Sequence, residues 1–370
     1  MAKPITDFVR STLTPVEGYT PGASRLTDRP VVRLDWNESP FPLTPKAQAA
    51  LTRFTLGHRY PDYQQMPLRE ALADYVGFDP ERIVPGAGLD DVFATLASIS
   101  VEPGAEVIIA EPTFGVYRSL FSMLGATIVN VPLTQAPEFL LDTEAILNAV
   151  TGNTRLIILC NPNNPTGNLI TRELIETIVD NVPCPVAIDE AYAEFSGQDH
   201  LDLARTRDNV IVLRTLSKFA GLAGFRVGYG IFPEPLLPYL RRVMPAFCNI
   251  SGLSSDIAIA SLQDLDILKQ QRDLIVAERT RVIAALDAIP HVTPYPSATN
   301  FVLFRLPVPD SSVVLDALAA RDIFVRRYGA TGWDLQDCLR VSIGLPEEND
   351  AFLAALTDIL RSLRTSGQTE

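Results

Sequence analysis

Lys218 stands in RTLSKFAGLAGFRVGYG (214–230), among small and apolar residues, with Arg226 eight positions further on. A lysine desolvated there, close to a second cation, loses proton affinity and becomes a nucleophilic amine. Taken alone it is equally a surface lysine whose stem covers apolar neighbours. Three further polar clusters bear on the choice. Asp189 opens DEAY (189–192), where a carboxylate either caps a strand end or pairs with a ring nitrogen, raising that nitrogen's proton affinity by roughly 1 to 3 pK units. GAGLDD (86–91) combines Gly86 and Gly88 with the free amides of a helix start, a setting that holds anions, although Asp90 and Asp91 are also ordinary first-turn acids. CNPNNPTG (160–167) reads singly as turn chemistry.

The elements that must position these clusters are legible around them. From about residue 83 to 232, apolar runs (EVIIAEP, ATIVNVPL, RLIILCNP, PVAIDEAY, VIVLRTLS, FRVGYGIF) alternate with helix-like stretches such as DDVFATLASI and RELIETIVDN. Strands apolar on both faces and interleaved with helices predict a mostly parallel sheet covered on both sides. In such sheets ligands bind beyond the carboxyl ends of the strands, where all four clusters fall. After about residue 250 a long amphipathic stretch precedes short strands (NFVLFRL, IFVRR, LRVSIG), which predicts a smaller α+β domain. We therefore expect a large domain over 46–250, and a small one formed by 1–45 together with 251–370. The Pro-rich first 45 residues lack a core pattern of their own and are expected to pack on that small domain or on a neighbouring subunit.

Jointly the clusters describe one site. The helix start, Arg226 and the hydroxyls of Thr215 and Ser217 suit a phosphate, Asp189 suits a heteroaromatic nitrogen, and Lys218 supplies an activated amine. That set fits pyridoxal 5′-phosphate.

The chain resembles the fold-type I pyridoxal phosphate aminotransferases, most closely the histidinol-phosphate aminotransferase family. The resemblance runs from EGYTPG and LDWNESPFP through HRYPDY, PTFGVY, CNPNNPTG, DEAYAEF, RTLSKFAGLAGFRVGY and SATNFVLFR to FVRR and LRVSIGLPEEN. It implies that Lys218 forms the Schiff base with the cofactor and shuttles the substrate proton, and that Asp189 holds the pyridinium proton. Tyr192 and Asn164 would bond the ring's phenolic oxygen, and Phe114 would stack on the ring. Gly88, Leu89 and Asp90 would hold the phosphate with Thr215, Ser217 and Arg226, and Tyr60 would reach it from the other subunit of a homodimer. Arg326 and Arg340, which read alone as solvated strand-end residues, would bind the substrate's anionic group beside Asn164 and Tyr19. Three positions depart from the family pattern and bear on the substrate. Leu89 replaces a small or polar residue, Phe114 a tyrosine, and Cys248 an expected asparagine.

The implied reaction is transfer of an amino group from histidinol phosphate to 2-oxoglutarate in histidine biosynthesis. An aromatic amino acid aminotransferase and a phosphothreonine decarboxylase are the alternatives within the class. A nicotinamide dehydrogenase would need G-x-G-x-x-G after the first strand, and GAGLDD stops at two glycines. A non-catalytic cofactor sensor would lack the lysine or carry a DNA-binding segment. With 31 Lys and Arg against 44 Asp and Glu, a net charge of −13 argues against nucleic acid. No leader-like h-region or apolar run of about 18 residues occurs, so a cytoplasmic protein without a membrane partner is expected. Four scattered cysteines and three histidines predict no metal site.

Overall fold

The computed structural model describes residues 4–13, 31–135, 138–243, 249–328 and 333–365. Its strands, in chain order, are β1 (Val32–Arg33), β2 (Ile83–Gly86), β3 (Glu106–Ile109), β4 (Thr127–Asn130), β5 (Thr154–Cys160), β6 (Val186–Asp189), β7 (Val210–Thr215) and β8 (Gly228–Ile231). These are followed by β9 (Thr293–Pro294), β10 (Phe301–Arg305), β11 (Ile323–Phe324), β12 (Arg326–Arg327) and β13 (Cys338–Ser342). Seven form one sheet in the order β2-β8-β7-β6-β5-β3-β4. The links β4–β3–β5–β6–β7 are parallel, while β8 runs antiparallel to both neighbours. The sheet is thus mostly parallel as predicted, with FRVGYGIF supplying its one reversed strand.

Apolar runs fill both faces of this sheet because side chains alternate along a strand. Ile157, Leu159, Val186, Ile188, Val210 and Val212 join one core. Their neighbours Leu156, Ile158, Ala187, Ile211 and Leu213 join another. Helices α1 (Pro45–Arg53) and α2 (Met66–Val76) cover the first face through Ala47, Leu68 and Leu72, helped by Ile257 of the helix Gly252–Leu262. The second is covered by α3 (Leu89–Ser100) and α4 (Val116–Met123) through Phe93, Leu96, Tyr117 and Phe121. Continuing the alternation, Asp189 and Thr215 lie on the second face, and Glu190 and Arg214 on the first.

A second sheet, β12-β13-β10-β9, is antiparallel. Phe301, Phe304, Val341, Phe352 and Leu356 build its core against the helix Pro346–Thr365. Leu34 is buried in that same core, and β1 pairs in parallel with β11. This pairing draws residues 32–38 across from the small sheet to the ends of the large one. Among the described residues no helix is long and apolar enough to cross a membrane.

Candidate active site

A cavity of about 470 Å³, of small-molecule size, opens at the carboxyl ends of β5, β6 and β7. Leu89, Asp90, Phe114, Asn164, Asp189, Tyr192, Thr215, Ser217, Lys218, Arg226, Arg326 and Arg340 all line it. Of the other expected residues, Gly88 sits at its edge as the N-cap of α3. Tyr60 is 81% exposed and does not line the cavity of its own chain. Tyr19 and Cys248 lie outside the described residues.

One end of the cavity is built for an anion. Gly88 adopts φ +89°, and a Cβ there would fall 2.2 Å from Arg226 Nη2. Only glycine lets the guanidinium cross the helix N-terminus so closely. A Cβ on Gly228 would meet the Leu89 backbone nitrogen at 2.4 Å, so this glycine too is required by close approach. Asp91 Oδ2 accepts from the Ala87 N–H at 2.8 Å, reaching back as an N3 carboxylate does. Asp90 instead meets Arg226 at 3.2 Å. Thr215 Oγ1 donates to Ser217 Oγ at 3.0 Å and accepts from the Ser217 N–H at 3.1 Å, which holds both hydroxyls at the same end.

Asp189, 3% exposed, occupies the middle. Its Oδ1 accepts from the Ala191 N–H at 3.0 Å, and its Oδ2 accepts from the Tyr117 hydroxyl. Burial pushes its carboxyl up to about 6, against the two hydrogen bonds, which favour the ionised form. Opposite, Lys218 Nζ donates to the Trp36 carbonyl at 3.0 Å. Burial first, then the nearby Arg340 charge, lowers its ammonium to about 8, with Arg226 contributing less and Glu38 opposing. Arg226, the neighbour in sequence, is thus a weaker influence than Arg340, 122 residues further along the chain than Lys218.

Tyr192 is oriented by two amides. Asn37 Nδ2 donates to its hydroxyl oxygen at 2.9 Å and Asn164 Nδ2 at 3.4 Å. The Asn164 amide cannot flip, because its Oδ1 accepts from Arg340 Nη1, a donor only, at 2.6 Å; Asn37 Oδ1 accepts from Ser342 Oγ at 3.0 Å. With its oxygen supplied by donors, the Tyr192 hydroxyl hydrogen is left for an acceptor in the cavity.

Arg340 and Arg326 face each other across β13 and β12. Two cations directly opposed in a sheet repel, and Arg340 is only 5% exposed. Its Nη1 also donates to the Tyr328 hydroxyl at 2.6 Å and its Nη2 to the Asp35 carbonyl at 2.8 Å. Its Nε is buried without a hydrogen-bond partner. An anion from outside the chain would relieve both conditions.

Sequence reasoning missed Trp36, Asn37, Tyr117, Tyr328 and Ser342. Trp36 and Asn37 lie in LDWNESPFP and Tyr117 in PTFGVY, so the motifs that carry the resemblance held them without marking them. Ser342 offered one faint signal, a hydroxyl inside the apolar strand LRVSIG.

Fold and cavity together define a transferase that works on a phosphate-bearing cofactor held at the strand ends of an α/β unit. The chain belongs to the aminotransferase class I and II family, whose family profile matches residues 29–356. It is 40% identical over 376 residues to a histidinol-phosphate aminotransferase of Roseiflexus castenholzii, covering 97% of this chain and all of that protein. It is 34% identical to a chloroplastic histidinol-phosphate aminotransferase of Nicotiana tabacum, covering 94% and 86%. The solved structure of histidinol-phosphate aminotransferase from Sinorhizobium meliloti in complex with pyridoxal-5′-phosphate matches with a TM-score of 0.83, 30% identity and coverage of 90% and 92%. The residues here fit that cofactor. The Gly88 cradle, which a Cβ would fill, has room for a phosphate, the buried Asp189 carboxylate suits a ring nitrogen, and Lys218, with its lowered pKa, suits an aldehyde.

Proposed function

We propose that this aminotransferase uses pyridoxal 5′-phosphate to move the amino group of histidinol phosphate to 2-oxoglutarate, the step that serves histidine biosynthesis. The opposed pair Arg326 and Arg340, with an unpartnered Arg340 Nε beside Lys218, carries this reading. Such a pair recognises an anionic group, phosphate on one substrate and carboxylate on the other. The names of relatives across the whole chain length support the same substrate.

Bound at the site, the cofactor supplies a carbonyl to carry the amino group and a ring that accepts electrons from the substrate Cα. The chain's own residues do the rest. Gly88, Leu89 and Asp90, through their backbone, and Thr215, Ser217 and Arg226 would hold the phosphate. Asp189 would keep a proton on the ring nitrogen, Phe114 would pack on the ring, and Tyr192 with Asn164 would bond its phenolic oxygen. Lys218 would anchor the aldehyde and accept the proton from the substrate Cα, a role that its lowered pKa suits near neutral pH.

A homodimer belongs to the same proposal. Leu56, Tyr60 and Tyr63 are 58%, 81% and 70% exposed within one short segment, an apolar surface that a second copy would cover while Tyr60 reaches the neighbouring phosphate site. The division into 46–250 and 1–45 with 251–370 is likewise proposed, although the helix Gly252–Leu262 packs into the large core and would move with it. A cytoplasmic place agrees with the buried, unpaired Cys160, Cys184 and Cys338.

The test is to mix cofactor-loaded protein separately with histidinol phosphate, glutamate, phenylalanine and phosphothreonine, following the cofactor's absorbance without a keto acid. Rapid change with histidinol phosphate and glutamate is expected. Change with phenylalanine but not histidinol phosphate would move the substrate to the aromatic amino acids and leave the cofactor chemistry standing.

A further inference from the structure

Tyr117 enters α4 at its first turn and is 1% exposed. Its ring packs against Phe93, with centroids 5.0 Å apart, and edge-on against Phe114 at 5.5 Å. Buried among apolar rings, a phenol hydroxyl must find an acceptor, and this one donates to Asp189 Oδ2. Tyr117 does not line the cavity; it stands behind the carboxylate. Asp189 Oδ1 accepts from the Ala191 amide, so each carboxylate oxygen holds one protein donor and the carboxylate plane is set from two sides.

Those donors have an electronic consequence. A hydrogen bond to the ionised carboxylate lowers its proton affinity by about one pK unit. Burial acts in the opposite direction, and the charges of Asp90 from α3 and of the adjoining Glu190 act with burial. Tyr117 itself and Cys160 from β5 also act on Asp189, and Lys218 and Tyr192 share its cavity. Burial pushes the Tyr117 hydroxyl up and the Cys160 thiol up to about 12, so both stay protonated and Tyr117 remains a donor.

We propose that Tyr117 is a positioning residue for the reaction, which orients Asp189 and weakens it as a base so that a proton shared with the cofactor stays on the ring nitrogen. This rests on the proposed cofactor site. A shared proton resides on the stronger base. Without the Tyr117 hydroxyl, Asp189 Oδ2 faces apolar rings, the carboxyl takes the proton, and the neutral ring withdraws electrons less well from the substrate Cα.

The experiment loads wild type and Tyr117→Phe with pyridoxal phosphate labelled with ¹⁵N in the ring and records the nitrogen's NMR shift, with Asp189→Asn as the unprotonated reference. The wild-type shift is expected at the protonated value. In Tyr117→Phe it should move toward the reference, corresponding to a change of about tenfold in the protonation ratio. A Tyr117→Phe protein with an unmoved shift overturns the proposal, even if its melting temperature or cofactor affinity falls, because packing alone would account for that. Should Tyr117→Phe not fold, 3,5-difluorotyrosine at position 117 of otherwise wild-type protein is a stronger donor; it should hold the nitrogen fully protonated to higher pH, and an unchanged or lower midpoint overturns the proposal. Wild type that takes up no cofactor, recognised by the absence of its absorbance before any NMR, overturns the site assignment itself and this proposal with it.

Discussion

Two groups of charged residues lie one position apart along β6 and β7, on opposite faces of the same sheet. Behind it, Arg214 Nε and Nη2 donate to Glu190 Oε2 at 2.9 and 2.7 Å. Glu190 Oε1 accepts from the His200 N–H at 2.6 Å and contacts its Nδ1 at 3.0 Å. Asp199 closes on Arg214 at 3.2 Å. In front, Asp189 and Thr215 face a cavity in which Lys218 meets a carbonyl, not a carboxylate, and Arg340 Nε has no partner. At the rear Glu190, Arg214, His200 and Asp199 answer one another and hold the strand ends together; the front group is left incomplete in the directions a ligand would fill. Buried charge marks a binding site when its hydrogen-bonding capacity points into a cavity, and a strut when its neighbours consume it.

The comparison is broken most severely at Lys218. Lys218→Met is expected to remove transamination altogether, while the cofactor-free protein becomes more stable. The lysine titrates at about 8 in the folded protein against its ordinary value of 10.5, so the unfolded chain binds more protons between those values. Its burial penalty, at most about 3 kcal/mol, is full below pH 8, fades as pH rises and is gone above 10.5. Urea melts of both proteins at about pH 7 and about pH 10.5 measure that difference.

Behind the sheet the outcome should reverse. Glu190→Gln removes the carboxylate that Arg214 bonds twice but leaves Asp199 at 3.2 Å and Glu194 at 3.8 Å, so it should cost less than the about 3 to 5 kcal/mol of a wholly unpaired buried charge; Arg214→Met added to it should restore part of the loss, as read from denaturant midpoints. Arg340→Lys keeps the charge but loses the planar fork, so KM for histidinol phosphate should rise about tenfold with a smaller change in kcat. An unchanged KM would place the anion elsewhere. The smallest effect belongs to Arg340→Met on Lys218. Removing a nearby cation favours the ammonium, so the midpoint of Lys218 modification by an amine reagent in the cofactor-free protein should climb from about 8 by less than about one unit.

The strand ends were legible in the sequence because strands covered on both faces make unbroken apolar runs, and the residues that follow such runs stand where ligands bind. RLIIL, PVAI and VIVL therefore announced Asn164, Asp189 and Lys218. The antiparallel direction of β8 was not announced, since an apolar strand has the same side-chain pattern whichever way it runs. Nor was the support around the site. Tyr117 meets Asp189 across 72 residues, Asn37 meets Tyr192 across 155, and Ser342 meets Asn37 across 305.

By itself the sequence determined which groups exist and on which side of a strand each must fall, since Asp189 against Glu190 and Thr215 against Arg214 follow from a two-residue period. Only the tertiary structure decided which of those charges are spent on neighbours and which remain for a ligand. A side-chain hydrogen bond depends on distances between segments far apart in the chain, and no local periodicity encodes them.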